Sequence, residues 1–361
     1  MQLNQSHVLI CRTDNIGDVV LTLPLAGYLK QQYPGMTISF LCRAYAAPMV
    51  RFCEAIDFVV EVEKIEDPIA WFTDSDFDIV LFARPDKRLA RAAKKGGIRQ
   101  RVGTSHRLYH WLYCNLLAHF SRVKSDLHEA QLNFKLLKPL GIDFIPRREA
   151  IPALYRFNAP AISEMRKVLQ QNDFNLILHP KSNGNAREWP IAHYTELARL
   201  LSHDTGLHIW ITGSEAEGKW LQQHATALLQ MTSVTSVCGE FGLGQLASFI
   251  QAADGLIACS TGPLHVSAAL GKRSLGFFSP RRPMDPGRWG PLGSKAQVLC
   301  QATPCAHCKD EARCTCLRNL TPAQVAEIVL QWRAEKASLP PDPRTIDPNT
   351  VPARHTQADG Q

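Results

Sequence analysis

No apolar run in the 361-residue chain reaches the roughly 18 residues a membrane-spanning helix needs. The opening Met1-Gln2-Leu3-Asn4-Gln5-Ser6 has neither a basic n-region nor an apolar h-region, so no secretory leader is expected and the chain is expected to stay in the cytoplasm. Acidic residues are scarce in one stretch. Residues 84–107 carry Arg84, Lys87, Arg88, Arg91, Lys94, Lys95, Arg99, Arg101 and Arg107 against only Asp86. Such a local field attracts an anionic partner: a phosphorylated substrate, an anionic membrane face or nucleic acid. The stretch also lacks interleaved aromatics of the base-stacking kind, which argues against nucleic acid. A solvated basic helix face is the plain alternative.

A hydrophobic content of 45% and a charged content of 20% describe a globular chain with a real core, long enough for two domains. Strand-like and helix-like segments alternate almost throughout. Strands are expected at 7–12, 37–42, 58–62, 77–82 and 98–103, then at 176–179, 208–212, 233–238, 255–259 and 274–278. Helices are expected at 19–32, 46–55, 86–95, 107–120, 129–140, 191–203, 215–229, 243–252, 262–270 and 321–336, the last capped by Thr321 with Pro322 at its first position. The pattern predicts an α/β protein with parallel sheets and covering helices. The proline-rich stretch at 146–160 separates residues 1–155 from 156–338, and residues 339–361 are expected to be a disordered tail.

Two strand–turn–helix units stand out. In the first, Val8-Leu9-Ile10-Cys11 leads through Arg12-Thr13-Asp14-Asn15-Ile16-Gly17-Asp18 into an apolar helix. Asp18 then lies where a parallel strand ends and a helix begins, the edge at which open α/β sheets collect ligands. A carboxylate there can take a proton from an attacking hydroxyl, or it can simply cap its helix. In the second unit, Ser260-Thr261-Gly262-Pro263 follows the strand at 255–259, and its free N–H groups suit a phosphate, with His265 one turn further on. Between them, Lys181, Ser182 and Arg187 lie on the loop 179–190 and could meet the charge of a departing diphosphate. Gly213 and Glu215 form a third such turn, where Glu215 suits either a ribose or its own helix dipole.

Of the eleven cysteines, Cys11, Cys42, Cys53, Cys114, Cys238 and Cys259 sit in or beside apolar segments and read as small core hydrophobes. The others crowd near the end as Cys305-x2-Cys308-x5-Cys314-x-Cys316, with Cys300 nearby. Thiolates at this spacing can hold a structural Zn²⁺, or remain plain reduced thiols.

Taken in order, Gly17-Asp18 with Pro24, His128-Glu129 ahead of residues 133–141, Arg187 before Trp189-Pro190, and Ser260-Thr261-Gly262 with His265 resemble glycosyltransferase family 9, the heptosyltransferases of bacterial lipopolysaccharide core assembly. The match runs from about His7 to Arg333. The resemblance implies a GT-B fold, two Rossmann-like domains with sheets facing across a cleft. It implies inverting transfer of a heptose from ADP-heptose to a lipopolysaccharide inner-core acceptor, with no cofactor and no Asp-x-Asp metal site. Asp18 would be the general base. Asn15, Gly17, Lys181, Ser182, Arg187, Gly213, Glu215, Ser260, Thr261, Gly262 and His265 would face the donor. Arg84, Lys87, Arg88 and Arg91 would face an anionic, lipid-linked saccharide. The enzyme would work at the cytoplasmic face of the inner membrane as a peripheral protein. Ser260 departs from the family pattern, where many members carry Asp. Two alternatives remain: a GT-B transferase using another nucleotide sugar, and a non-catalytic binder of anions or nucleic acid.

Overall fold

The structure, a computed structural model, describes residues 3–338 apart from 161, 163, 164, 166–168, 170–173, 183, 185 and 311. The expected tail at 339–361 lies outside the described residues.

The chain forms two parallel sheets of six strands each. The first contains β1 (His7–Cys11), β2 (Thr37–Cys42), β3 (Phe58–Glu61), β4 (Ile79–Phe82), β5 (Gln100–Thr104) and β6 (Leu116–Ala118), in the order β3-β2-β1-β4-β5-β6. The second contains β7 (Phe174–His179), β8 (Leu207–Ile211), β9 (Val234–Ser236), β10 (Gly255–Cys259), β11 (Arg273–Phe278) and β12 (Ala296–Cys300), in the order β12-β11-β10-β7-β8-β9. Read from opposite ends, the two orders are the same doubly wound arrangement. The central strands read as continuous apolar runs because helices cover both faces; β4, β8 and β10 are buried at every position. The chain order reverses between β1 and β4, which pair Val8 with Ile79, and between β7 and β10, which pair Leu176 with Gly255. These reversals fix where each sheet opens a crevice at its carboxyl edge.

Several elements differ from the sequence expectation. The stretch expected as one helix over 107–120 is a short helix, Leu108–Tyr113, followed by β6. The helix Pro68–Thr73, capped by Asp67, and the edge strand β12 were not expected. The helix starting at Glu129 tightens into a 3₁₀ turn at Lys135–Leu140 around Pro139, then ends at Gly141 with φ of 86°, a left-handed cap that favours glycine. Thr321 and Gln324 exchange hydrogen bonds at the start of the helix Pro322–Ser338, which packs on the helix Ile191–Leu201. The crossing segment stays on the first lobe as far as Asn158, whose N–H donates to Phe52 O at 3.0 Å.

The two lobes meet most closely where the helix Ile16–Val20 packs on the helix Gly262–Ala269. Two glycines make this possible. A Cβ at Gly262 would lie 1.8 Å from Ile16 Cγ2, and one at Gly17 would lie 2.9 Å from His265 Cδ2. Ile16 Cγ2 branches directly from the β-carbon of the first residue of its helix, so a methyl group at position 262 forces Ile16 or its helix to shift. Gly262→Ala is expected to destabilise the protein by about 1–3 kcal/mol in urea denaturation. Ile16→Ala should return part of that loss in the double variant, and additivity of the two losses would contradict the packing account.

Candidate active site

The cleft between the lobes holds a cavity of about 900 Å³, in the range of a small-molecule site. Asn15, Gly17 and Asp18 line it from the turn after β1. Ser182 and Arg187 line it from the loop after β7, Gly213 from the turn after β8, and Ser260, Thr261, Gly262 and His265 from the turn and helix after β10. All of these turns leave carboxyl ends of parallel strands, so the two topological reversals bring them together.

Asp18 is oriented by a buried guanidinium that the sequence reading did not single out. Arg12, only 3% exposed at the end of β1, donates from Nη2 to Asp18 Oδ1 and from Nε to Asp14 Oδ1 at 2.7 Å. Among the described residues Asp18 Oδ2 accepts no hydrogen bond, which leaves one carboxylate oxygen open to the cavity. Burial and the neighbouring Asp18 raise the Asp14 carboxyl, with Arg12 opposing them. Asp14 is held further by its backbone, whose carbonyl accepts from Tyr45 Oη at 2.8 Å.

Arg12 belongs to a larger cluster. Its Nη1 reaches Glu129 Oε1 at 3.3 Å, and the same carboxylate accepts from Arg122 Nη1 and, across the lobes, from Arg288 Nη2. Glu129 is 1% exposed, so it needs its cationic partners to stay ionised in the interior. Burial and, secondarily, the Arg12 and Arg288 charges pull the Arg122 guanidinium down to about 9. His128 adds a second interlobe link, its Nε2 lying 2.8 Å from Gly290 O. The paired His128-Glu129 of the sequence therefore sits at an interlobe joint.

Opposite Asp18, the helix Gly262–Ala269 presents its N-terminus to the cavity. Pro263 has no N–H, so the Gly262 and Leu264 amides are the first free donors. Thr261 makes no side-chain cap hydrogen bond, and its buried Oγ1 has no partner; neither does buried His265 Nδ1. Orphaned polar atoms aimed at a cavity mark a place for a polar ligand. Burial pushes the His265 imidazole down to about 4, so it is neutral at neutral pH.

Lys181 turns from the cavity to Glu188, 2.5 Å away, and lies over the Trp220 ring at 3.9 Å. Glu215 is exposed and pairs with Lys219 at 2.7 Å, whereas Glu217 lines the cavity and holds Ser214 N at 2.7 Å in a capping box. The Ser214-x-x-Glu217 spacing is the sequence signal of that cap. Arg84 donates to Thr13 Oγ1 at 2.9 Å, beside the β1 turn, while Lys87, Arg88 and Arg91 are exposed on the helix Lys87–Lys95. The cavity also recruits Arg43, Tyr45, Phe241, Leu246, Arg281 and Trp289, which only the fold brings near.

The late cysteines form a compact group. The Sγ atoms of Cys305, Cys308, Cys314 and Cys316 lie within 4.8 Å of one another, with Cys305–Cys314 and Cys308–Cys316 each at 3.7 Å. Four thiolates at about 2.3 Å from a tetrahedral metal sit roughly 3.8 Å apart, so the donor set fits one. The Thr315 backbone N–H is the main influence drawing the Cys305 thiol down to about 6. Arg187 joins this cluster to the cavity, its Nη1 donating to Cys314 Sγ at 2.6 Å and its Nη2 to Cys308 O.

Matching doubly wound sheets on either side of a ligand-sized cleft define a GT-B type transferase fold. A family profile described as glycosyltransferase family 9 (heptosyltransferase) matches residues 97–317, more than half of the chain, and the chain belongs to that family. It is 27% identical over 298 residues to a Haemophilus influenzae protein with a general glycosyltransferase name, covering 79% of this chain and 86% of that one. It is 24% identical over 322 residues to lipopolysaccharide heptosyltransferase 1 of Escherichia coli, covering 82% and 93%. Among solved structures, E. coli ADP-heptose lps heptosyltransferase II superimposes with a TM-score of 0.71 at 19% identity, covering 92% of this chain and 100% of that one.

The buried imidazoles set a pH dependence. Burial holds His265 near 4 and His128 near 3, both below the ordinary 6.5. In each case the unfolded chain binds the proton more readily. Their contribution to stability is therefore complete above about pH 6.5 and lost as the pH falls towards the folded values. For His265 the loss is on the order of 3 kcal/mol. His265→Gln should flatten the fall in urea-denaturation stability between pH 6.5 and 4; an unchanged slope would contradict the assignment.

Proposed function

We propose that this glycosyltransferase moves a heptose from ADP-heptose to a lipopolysaccharide inner-core acceptor, with Asp18 as general base. The observation that carries the reading is one cavity with the Arg12-oriented carboxylate on one wall and the unspent N–H groups, Thr261 Oγ1 and His265 Nδ1 on the other. Its heptosyltransferase relatives supply the substrate class.

In this mechanism the acceptor hydroxyl gives its proton to Asp18 Oδ2 as its oxygen attacks the anomeric carbon. The bond from that carbon to the diphosphate breaks on the opposite face, so the configuration inverts. Electron density flows to the leaving ADP. The amides at the start of the helix Gly262–Ala269 and the guanidinium of Arg187 receive that charge. Arg12 fixes the rotamer of Asp18 through its hydrogen bond to Oδ1. Asn15, Gly17, Ser182, Gly213, Ser260 and Thr261 close around the donor, and Glu217, rather than Glu215, is the carboxylate best placed on the cavity wall for its ribose. The basic residues Arg84, Lys87, Arg88 and Arg91 receive the anionic acceptor. The protein acts on the cytoplasmic side of the inner membrane, in contact with the lipid that carries that acceptor. Among the described residues no helix is long and apolar enough to cross a membrane. We place the lobe boundary just after Asn158, slightly beyond the 155–156 expected from the sequence.

A second reading is a different nucleotide sugar on the same fold, favoured by Ser260 at a position where many members of this family carry Asp. A panel of ADP, UDP and GDP sugars, followed by mass spectrometry of the product, separates the two.

Asp18→Asn is expected to leave the fold and ADP binding intact while lowering kcat by about 10²–10⁴-fold. Full activity in that variant would overturn the base assignment.

The same reading extends to Cys305, Cys308, Cys314 and Cys316 as ligands of one structural metal. A thiolate set of this geometry takes zinc or iron. Bound there, the metal would crosslink the segment carrying Arg187's partners without entering the reaction. Elemental analysis of purified protein should find one zinc or iron per chain. Cys316→Ser should remove the metal and lower the melting temperature. Metal-free protein with an unchanged melting temperature in the variant would contradict the site.

A further inference from the structure

The helix Leu108–Tyr113 turns its apolar side chains to the outside. Leu108 is 87% exposed, Leu112 64% and Trp111 58%, and Val123, on the segment after β6, is 83% exposed. The helix is not a loose appendage. Lys94 Nζ donates to Leu112 O at 2.8 Å, Trp111 Nε1 donates to Ser105 O at 2.9 Å, and Arg101 Nε donates to Tyr113 O at 2.7 Å. Contiguous exposed apolar groups held on a rigid element mark an interaction surface.

The surroundings are cationic. The helix packs on Lys87–Lys95, and among the described residues Lys87, Arg88, Arg91, Lys95 and Arg107 are exposed without an ion-pair partner. Lys124 is exposed beside Val123. Asp86 is spent on capping, its Oδ1 accepting from Leu89 N at 3.0 Å. These segments follow β4, β5 and β6 at their carboxyl ends, the same edge from which Asp18 follows β1. Arg84 ties that edge to the β1 turn through Thr13.

We infer that this face docks on an anionic lipid bilayer, with Leu108, Trp111 and Leu112 entering the headgroup boundary and the flanking lysines and arginines meeting the lipid charge. Small apolar knobs ringed by long cationic side chains are the pattern of an interfacial element: Trp and Leu sit at the acyl boundary while Lys and Arg reach the headgroups. Other occupants fit less well. Trp111 stands there with aliphatic Leu108 and Leu112, and a single aromatic gives successive bases no platform to stack on. A second copy meeting this patch through its own would bring two basic faces together. The inference deepens the functional reading, because it assigns the surface that presents the cleft to a lipid-borne acceptor.

The test is co-sedimentation of the full chain with vesicles of phosphatidylcholine alone or mixed with phosphatidylglycerol. The protein should bind the mixed vesicles and leave the neutral ones largely unbound. Raising the ionic strength to about 1 M, where the Debye length is roughly 3 Å, should weaken binding. The variant Leu108→Ser, Trp111→Ser, Leu112→Ser should lose about tenfold or more in vesicle affinity while keeping its circular dichroism spectrum. Unchanged affinity in that variant, equal binding to neutral vesicles, or capture on random-sequence DNA with vesicles left unbound would each overturn the inference. The assay reads no transfer, so the two readings fail separately. Vesicle binding without sugar transfer would sink the enzyme assignment alone, and transfer to a delipidated acceptor without vesicle binding would sink the surface alone.

Discussion

One buried carboxylate organises the joint between the lobes. Glu129 takes Arg12 and Arg122 from its own lobe and Arg288 from the other, and Arg12 passes the connection on to Asp14 and Asp18. A charge this deeply placed is costly unless its partners are in register, so the cluster tolerates little displacement of either lobe. The cavity depends on that register. Its acidic wall comes from one sheet and its amide-rich wall from the other, and only the interlobe contacts decide that they face each other.

The glycine contact at Gly17 and Gly262 acts on the same joint from the cleft side. Without a Cβ, the two turns come close enough for the helix N-terminus at 262 to overlook the carboxylate. The doubly wound order places both turns at points of chain reversal, where helices diverge to opposite faces and leave room for a ligand. Architecture, close backbone approach and buried charge thus converge on one chemical arrangement. A proton acceptor stands across a sugar-sized gap from a seat for a leaving diphosphate.

Much of the fold was legible because buried parallel strands are apolar runs bounded by turns, and β2 and β10 could be read from sequence with their ends in place. Misreadings came where local pattern and tertiary context conflict. Residues 107–120 look like one amphipathic stretch, but Leu108, Trp111 and Leu112 face outward and the chain re-enters the sheet at Leu116. The edge strand β12 is apolar at four of its five positions, but it is short, has no fully buried residue and runs straight into the cysteine-rich stretch, so its pattern does not stand out. In the site, residues on strand-to-helix turns were visible because the turn itself is a sequence feature. The Arg12–Glu129–Arg288 cluster was not, since its members are 117 and 159 residues apart and ordinary Arg and Glu carry no local mark of burial. Glu217 also lines the cavity, but its spacing from Ser214 reads in the sequence as a helix cap.

The central claim is that this cleft transfers a sugar from an ADP-linked donor. Wild-type protein incubated with ADP-heptose and a heptose-deficient lipopolysaccharide core, with the products followed by mass spectrometry, tests it most directly. The account predicts that the core gains one heptosyl unit, joined with inverted anomeric configuration, as one ADP is released. An unaltered core, with no ADP released from any ADP sugar offered, would contradict it.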